Sequence, residues 1–239
     1  MKTLYILCPL ILALTACGGS PSPLPEVVPS PELNITSLQG IWRSAAGASS
    51  TLSAIVLPDG KLWAVVSNAS STRLLKASFE VRGNSFAASG NSFTLGTTAT
   101  NTITLSASVL DKTSLNGALV SAGVSEPLSL AYQARYSTTA ALSDFVGTWS
   151  ATLGPGVVRW TLSDAGVLSG TRSTGCNYTG QLALRTEKTA VVNVAITEDC
   201  AGAKTELTGV AIKTEDKQAI TLLLTTSGDA AAVAMNLVK

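Results

Sequence analysis

Short runs of alternating apolar and polar residues fill most of the chain after residue 36. Thr102-Ile103-Thr104-Leu105-Ser106-Ala107-Ser108-Val109 alternates without a fault, so one face meets a core and the other meets water. Ala77, Phe79 and Val81 alternate with Lys76, Ser78, Glu80 and Arg82, and Val158, Trp160 and Leu162 with Arg159 and Thr161. The same period runs through Leu128, Leu130, Tyr132, Ala134 and Tyr136, and through Val233, Met235 and Leu237. Turn signals separate the runs: Pro58-Asp59-Gly60, Arg82-Gly83-Asn84, Asp164-Ala165-Gly166 and Ser227-Gly228-Asp229. No long stretch carries a helical period. The pattern predicts an all-β protein, an antiparallel meander in a sandwich or barrel. A smaller echo, Gly83-Asn84-Ser85-Phe86 and Gly90-Asn91-Ser92-Phe93, reads either as a simple turn repeat or as a loop presenting aromatics at a binding edge.

The run of strands is duplicated. Ser37-Leu38-Gln39-Gly40-Ile41-Trp42 lines up with Asp144-Phe145-Val146-Gly147-Thr148-Trp149, and Leu57-Pro58-Asp59-Gly60-Lys61-Leu62 with Leu162-Ser163-Asp164-Ala165-Gly166-Val167-Leu168. Leu115-Asn116-Gly117-Ala118 is similar to Leu207-Thr208-Gly209-Val210. A spacing of roughly a hundred residues makes the repeating unit a domain, not a solenoid turn. Each copy has room for about eight short strands, so two small meander barrels in tandem are expected, over 36–136 and 141–239, with 137–140 as the joint. A single sixteen-stranded membrane barrel would want longer strands and aromatic girdles, whereas aromatics make up 5% of this chain.

Gly-x-Trp on the first strand, followed by a meander of this length, resembles the calycin barrels: lipocalins and, in length, avidins. The resemblance implies that Trp42 and Trp149, with Gly40 and Gly147 beside them, plug the closed ends of the two barrels. It also implies, as one alternative, a small apolar ligand in an open lumen. The ligand contacts of avidins have no visible match here, so biotin is not carried over. The lumen itself reads ambiguously, since its inward candidates include Trp160 and Leu162 but also Ala107 and Ala134.

The first residues have a different character. Lys2 precedes an apolar stretch, Leu4 to Ala13, that is too short to span a bilayer and fits the core of a secretory signal. It runs into Leu14-Thr15-Ala16-Cys17, which resembles the lipobox of bacterial lipoproteins. That resemblance implies cleavage after Ala16, so that 1–16 is a signal peptide and Cys8 leaves with it. It further implies a diacylglycerol thioether on Cys17 and acylation, as by palmitate, of the new amino terminus. Two or three acyl chains hold a protein firmly to a membrane where one does not. Gly18 stands where lipoproteins kept in the inner membrane often carry Asp, so the resemblance implies the outer membrane, with either leaflet open. Residues 17–35 read as the lipidated cysteine and a tether. Five prolines with Ser and Gly between Gly18 and Asn34 give extended chain, at ~3 Å per residue.

Charge and composition narrow the chemistry. Charged residues are 13% of the chain and the formal net charge is +1. No basic run stands out, which argues against nucleic-acid binding. There is no histidine, which removes the commonest general base and transition-metal ligand. A serine nucleophile would need a lysine base, and no local signature of such enzymes is present. Glu198-Asp199 and Glu215-Asp216 read as exposed hairpin ends, and neither carries the calcium-loop pattern. Apart from Cys17, the mature chain has Cys176 and Cys200, which in an oxidising envelope are expected to form a disulfide. No catalytic residue, metal site or cofactor is expected. The reading is a non-catalytic binding or structural protein, held to a membrane and meeting another envelope component through barrel surfaces or loops.

Overall fold

Among the described residues, sixteen strands close into two antiparallel barrels of eight, each in simple sequence order. The computed structural model describes residues 34–45, 48, 50–83 and 85–239. The signal, Cys17 and the tether as far as residue 33 lie outside the described residues. One helical turn, α1 (Ile35–Leu38), is capped by the Asn34 side chain, which accepts from the Ser37 amide at 3.0 Å. It leads into β1 (Gly40–Ser44), β2 (Thr51–Val56), β3 (Lys61–Ser67), β4 (Thr72–Arg82), β5 (Ser85–Thr94), β6 (Thr100–Leu110), β7 (Ser114–Ser121) and β8 (Val124–Gln133). β8 pairs back onto β1 and closes the first barrel. The second comprises β9 (Gly147–Leu153), β10 (Gly156–Leu162), β11 (Val167–Arg172), β12 (Cys176–Leu184), β13 (Val191–Cys200), β14 (Ala203–Lys213), β15 (Ala219–Thr226) and β16 (Ala232–Val238). No helix among the described residues is long and apolar enough to cross a membrane.

The predicted alternation sets the barrel walls. In β6, Ile103, Leu105 and Ala107 are buried in the lumen and the residues between them are exposed. In β10, Val158, Trp160 and Leu162 do the same. The run expected to continue through Ala134 and Tyr136 stops at Gln133, because Ala134–Ser137 winds into a 3-10 turn. That turn carries the Tyr136 ring out of the barrel wall into the apolar layer between the barrels.

The duplication holds at the start of each barrel and shifts further along. Gly40 pairs with Val56 and Gly147 with Leu162, so Leu162 matches Val56 and not Leu57. The next turn agrees: the amides of Leu57 and Ser163 play the same part, donating to the carbonyls of Lys61 and Val167, and Gly60 and Gly166 both have φ near 78°. Gly117 lies on the seventh strand of its barrel and Gly209 on the sixth of the other, so those two segments are not equivalent. Each glycine admits a close neighbouring strand: a side chain at Gly117 would meet the Ser106 carbonyl, and one at Gly209 the Leu223 carbonyl.

Several strands break the alternation. Ala54-Ile55-Val56-Leu57, Leu62-Trp63-Ala64 and Leu222-Leu223-Leu224 are buried on successive residues, as strands covered on both faces must be. Their outward members form a third apolar cluster. Ile41, Ile55, Trp63, Leu74 and Phe93 of the first barrel pack with Val191, Val210, Ile212 and Leu223 of the second. The Gly83/Gly90 echo is explained by the same geometry. Ser85–Thr94 is one strand, so Phe86 and Phe93, an odd number of residues apart, point to opposite faces. Phe86 fills the lumen and Phe93 the layer between barrels; neither is exposed on a loop.

Polar clamps border this layer. Asp59 in the β2–β3 turn meets Arg185 beyond β12 at 3.4 Å, and Lys76 meets Asp229 in the β15–β16 turn at 2.6 Å. Burial alone would raise the Asp229 carboxyl, but the hydrogen bonds from Lys76 and Thr225 outweigh it and hold its pKa below the ordinary range. A carboxyl so depressed adds stability above its unfolded value, near pH 4, and loses it as pH falls through the folded value. Asp229→Asn should therefore flatten the fall in thermal midpoint between pH 5 and pH 2; an unchanged acid limb would show that this clamp does not contribute.

Candidate functional site

Both barrels are closed at the end where they begin. Trp42 and Trp149 are fully buried, and each indole donates to the carbonyl four residues earlier: Trp42 Nε1 to Leu38 at 2.8 Å, Trp149 Nε1 to Phe145 at 2.7 Å. The ring fills the end of the lumen and its one polar atom is satisfied. The two glycines serve these plugs differently. A Cβ at Gly40 would meet the Tyr132 ring at 2.5 Å, and that ring packs edge-on against Trp42. A Cβ at Gly147 would meet only the Lys239 side chain, at an ordinary 3.7 Å, but φ is +127°, a conformation that L residues rarely adopt.

Cations cover the plugs from outside. Lys112 lies over the Tyr132 ring and donates to the Gln39 carbonyl. Lys213 and Lys239 lie 5.2 and 5.0 Å from the Trp149 ring centre. Burial lowers the pKa of Lys112, against the opposing pull of Asp111, and it also lowers that of Lys213, where the Lys239 charge adds to it.

The opposite ends are closed by charge. Arg73 pairs with Val66 and Glu126 with Leu119, both inward-facing positions, so the two charged side chains point into the mouth of the first barrel. They come from β4 and β8, on opposite walls, and meet at 2.7 Å. In the second barrel Tyr178 donates to Glu198 at 2.5 Å, Glu198 faces Arg172 at 3.8 Å, and Arg172 donates to the Leu153 carbonyl at 2.6 Å. Burial first, then the Glu198 contact, pushes the Tyr178 phenol strongly up, so it remains a donor. Glu198, expected at an exposed hairpin end, is half-buried inside β13; Asp216 sits in an exposed turn as expected.

The disulfide is formed at this same mouth. Cys176 and Cys200 are direct partners in the β12–β13 ladder with Cα atoms 4.2 Å apart, the spacing of a close antiparallel pair. The bridge encloses a sequence separation of 24. Replacing both cysteines with alanine should lower the unfolding free energy by about 3 kcal/mol, read as a lower urea midpoint; an unchanged midpoint would mean that the ladder alone holds the mouth. The Glu198 carboxylate and both sulfurs lie within 4.8 Å of one another, but a disulfide has no thiolate to offer a metal.

Between plug and mouth the lumens hold packed side chains. Leu75, Phe86, Ile103 and Leu119 belong to one buried cluster in the first barrel, and Val158, Trp160, Val194 and Leu222 to another in the second. Open space also lies outside, where the barrels meet. A cleft of about 420 Å³ runs between them. Its floor is Ile41, Ile55, Ile212 and Leu223, and its rim carries Arg43 and Arg135. Arg43 pairs with Ala131 of β8, and Arg135 stands in the turn that follows β8, so both guanidiniums line one cleft. Neither has an ion-pair partner among the described residues. Burial, then the Arg43 charge, lowers the Arg135 pKa, and Glu215 opposes this without reaching ion-pair distance.

Compared with known protein families, curated proteins and solved structures, the chain matches none.

The mouth pairs and the cleft were not read from the sequence. The mouth pairs left a signal: Arg73 shares strand parity with Leu75 and Ala77, and Glu126 with Leu128 and Leu130. A charge at an inward position near a strand end marks a lid. The cleft left none, because it depends on how one barrel is turned against the other.

Proposed function

We propose that this chain is an envelope lipoprotein. It is processed between Ala16 and Cys17, anchored by acyl chains on Cys17 and sorted to the outer membrane. Its folded part has a non-catalytic binding or structural role. It meets another envelope component on its outside, through the faces and loops of two calycin-like barrels. The observation that carries the outside reading is the closure of both lumens, by a tryptophan at one end and by charged pairs at the other. An interior ligand would have to displace packed side chains and part an arginine from a glutamate. The alternative, a carrier of a small apolar ligand inside a barrel, rests on the same Gly-x-Trp plugs and would require that displacement. The absence of histidine supports a non-catalytic role.

The anchor is tested in cells. Radiolabelled palmitate should enter the wild-type protein and cofractionate with outer membrane, and Cys17→Ala should abolish the label. A Cys17→Ala protein that still takes up palmitate would overturn the anchor.

A further inference from the structure

We propose that the cleft between the barrels binds an amphiphile with an anionic head, an alkyl chain bearing a carboxylate or phosphate, whose head is held by Arg43 and Arg135. Three observations support this. The cleft volume of about 420 Å³ falls within the range of small-molecule sites, roughly 300–1,000 Å³, and suits one alkyl chain of medium length. Its floor is apolar and comes from both barrels, through Ile41, Ile55, Ile212 and Leu223.

The third observation is electrical. Arg73, Arg82, Arg172 and Arg185 each face a carboxylate. Arg159 stands alone on an exposed outer face. Arg43 and Arg135 instead line one cleft with no carboxylate at ion-pair distance among the described residues, and Arg135 Nε, like that of Arg172 and Arg185, is buried without a hydrogen-bond partner. Two guanidiniums of like charge on one apolar cleft are suited to an anion that both can meet. Carboxylate and phosphate fit the guanidinium fork with two parallel hydrogen bonds. The Ser53 hydroxyl and the Asn236 amide nitrogen, also on the cleft, can donate to remaining head oxygens, and the Thr221 hydroxyl donates to Asn236 Oδ1 at 2.7 Å and orients that amide.

The proposal rests on the reading that binding occurs outside the barrels, and the palmitate experiment stands or falls independently of it. The test uses the chain from Gly18 to Lys239, exported from a cleavable signal without Cys17. Dansylamino-undecanoate should bind saturably at one site. Dodecanoate and dodecyl phosphate should displace it, dodecanol should do so at least about tenfold more weakly, and dodecyltrimethylammonium should fail. Arg43→Gln and Arg135→Gln should each weaken binding about tenfold, equal to about 1.4 kcal/mol, while Arg82→Gln leaves it unchanged. Arg43 is exposed, so Arg43→Glu remains informative if the Arg135 variant unfolds. A diazirine fatty acid should label peptides containing Ile55 or Leu223. Phosphatidylglycerol vesicles separate the sources: extraction of the lipid assigns the site to phospholipid, and dodecanoate binding without extraction assigns it to free fatty acids. Equal affinity for dodecanol and dodecanoate would overturn the proposal. So would indifference to both arginine variants, or labelling inside a lumen.

Discussion

Alanine at Trp149 should lower the unfolding free energy by about 3–5 kcal/mol, measured by urea denaturation of the whole chain. The indole is fully buried, closes the end of the lumen and donates its only polar hydrogen to Phe145. Truncation leaves a cavity where there are few side chains to relax into it, because β9 and the turn before it are fixed on both sides. It also removes the surface on which Lys213 and Lys239 rest, so two cations lose their ring. Trp149→Phe should cost less, because it keeps an aromatic body and gives up mainly the hydrogen bond, worth about 1–2 kcal/mol. Trp42→Ala should repeat the result in the first barrel. A loss below about 1 kcal/mol at either position would mean that the ring does not fill the barrel end.

The second large effect is expected between the barrels. Leu223 is 3% exposed and its neighbours in the layer are Ile212, Val210 and the apolar outer face of the first barrel. Aspartate there places a carboxylate on the apolar floor of the cleft, below the rim that carries Arg43 and Arg135, a burial that costs several kcal/mol unless it is paired or the layer opens. Opening relieves that cost at the expense of the contact, so Leu223→Asp should separate the barrels while each keeps its own lumen packed. Calorimetry of the variant should show two transitions in place of one. A single transition at the wild-type temperature would mean that the layer contributes little to stability.

The strands were legible because one face of each meets a lumen and the other meets water. β6 and β10 needed no more than that alternation. The plugs were legible too, since Gly-x-Trp recurs at the start of both barrels and the structure places both indoles alike. Legibility failed where the environment of a face depends on the other barrel. Trp63 and Ile55 break the alternation because their outer face is also buried, and such a continuous apolar run signals a doubly covered strand without naming its cover. Gly117 and Gly209 misled for a related reason: a glycine that lets strands approach looks the same on the sixth strand as on the seventh. Glu198 looked like a turn residue because its neighbour Asp199, at the end of β13, serves the turn: its carboxylate accepts from the Gly202 amide at 2.9 Å. Strand parity, counted back from the lumen residues Ile196 and Val194, places Glu198 inside.

The central claim is that two filled barrels form one folded body, which leaves recognition to its outer surfaces. Hydrogen exchange across a denaturant series tests it most directly. The slowest amides of β4 to β6 and of β12 to β14 should open with one common free energy and one common denaturant dependence. Two distinct values, one for each barrel, would contradict it and make the chain two independent domains on a string.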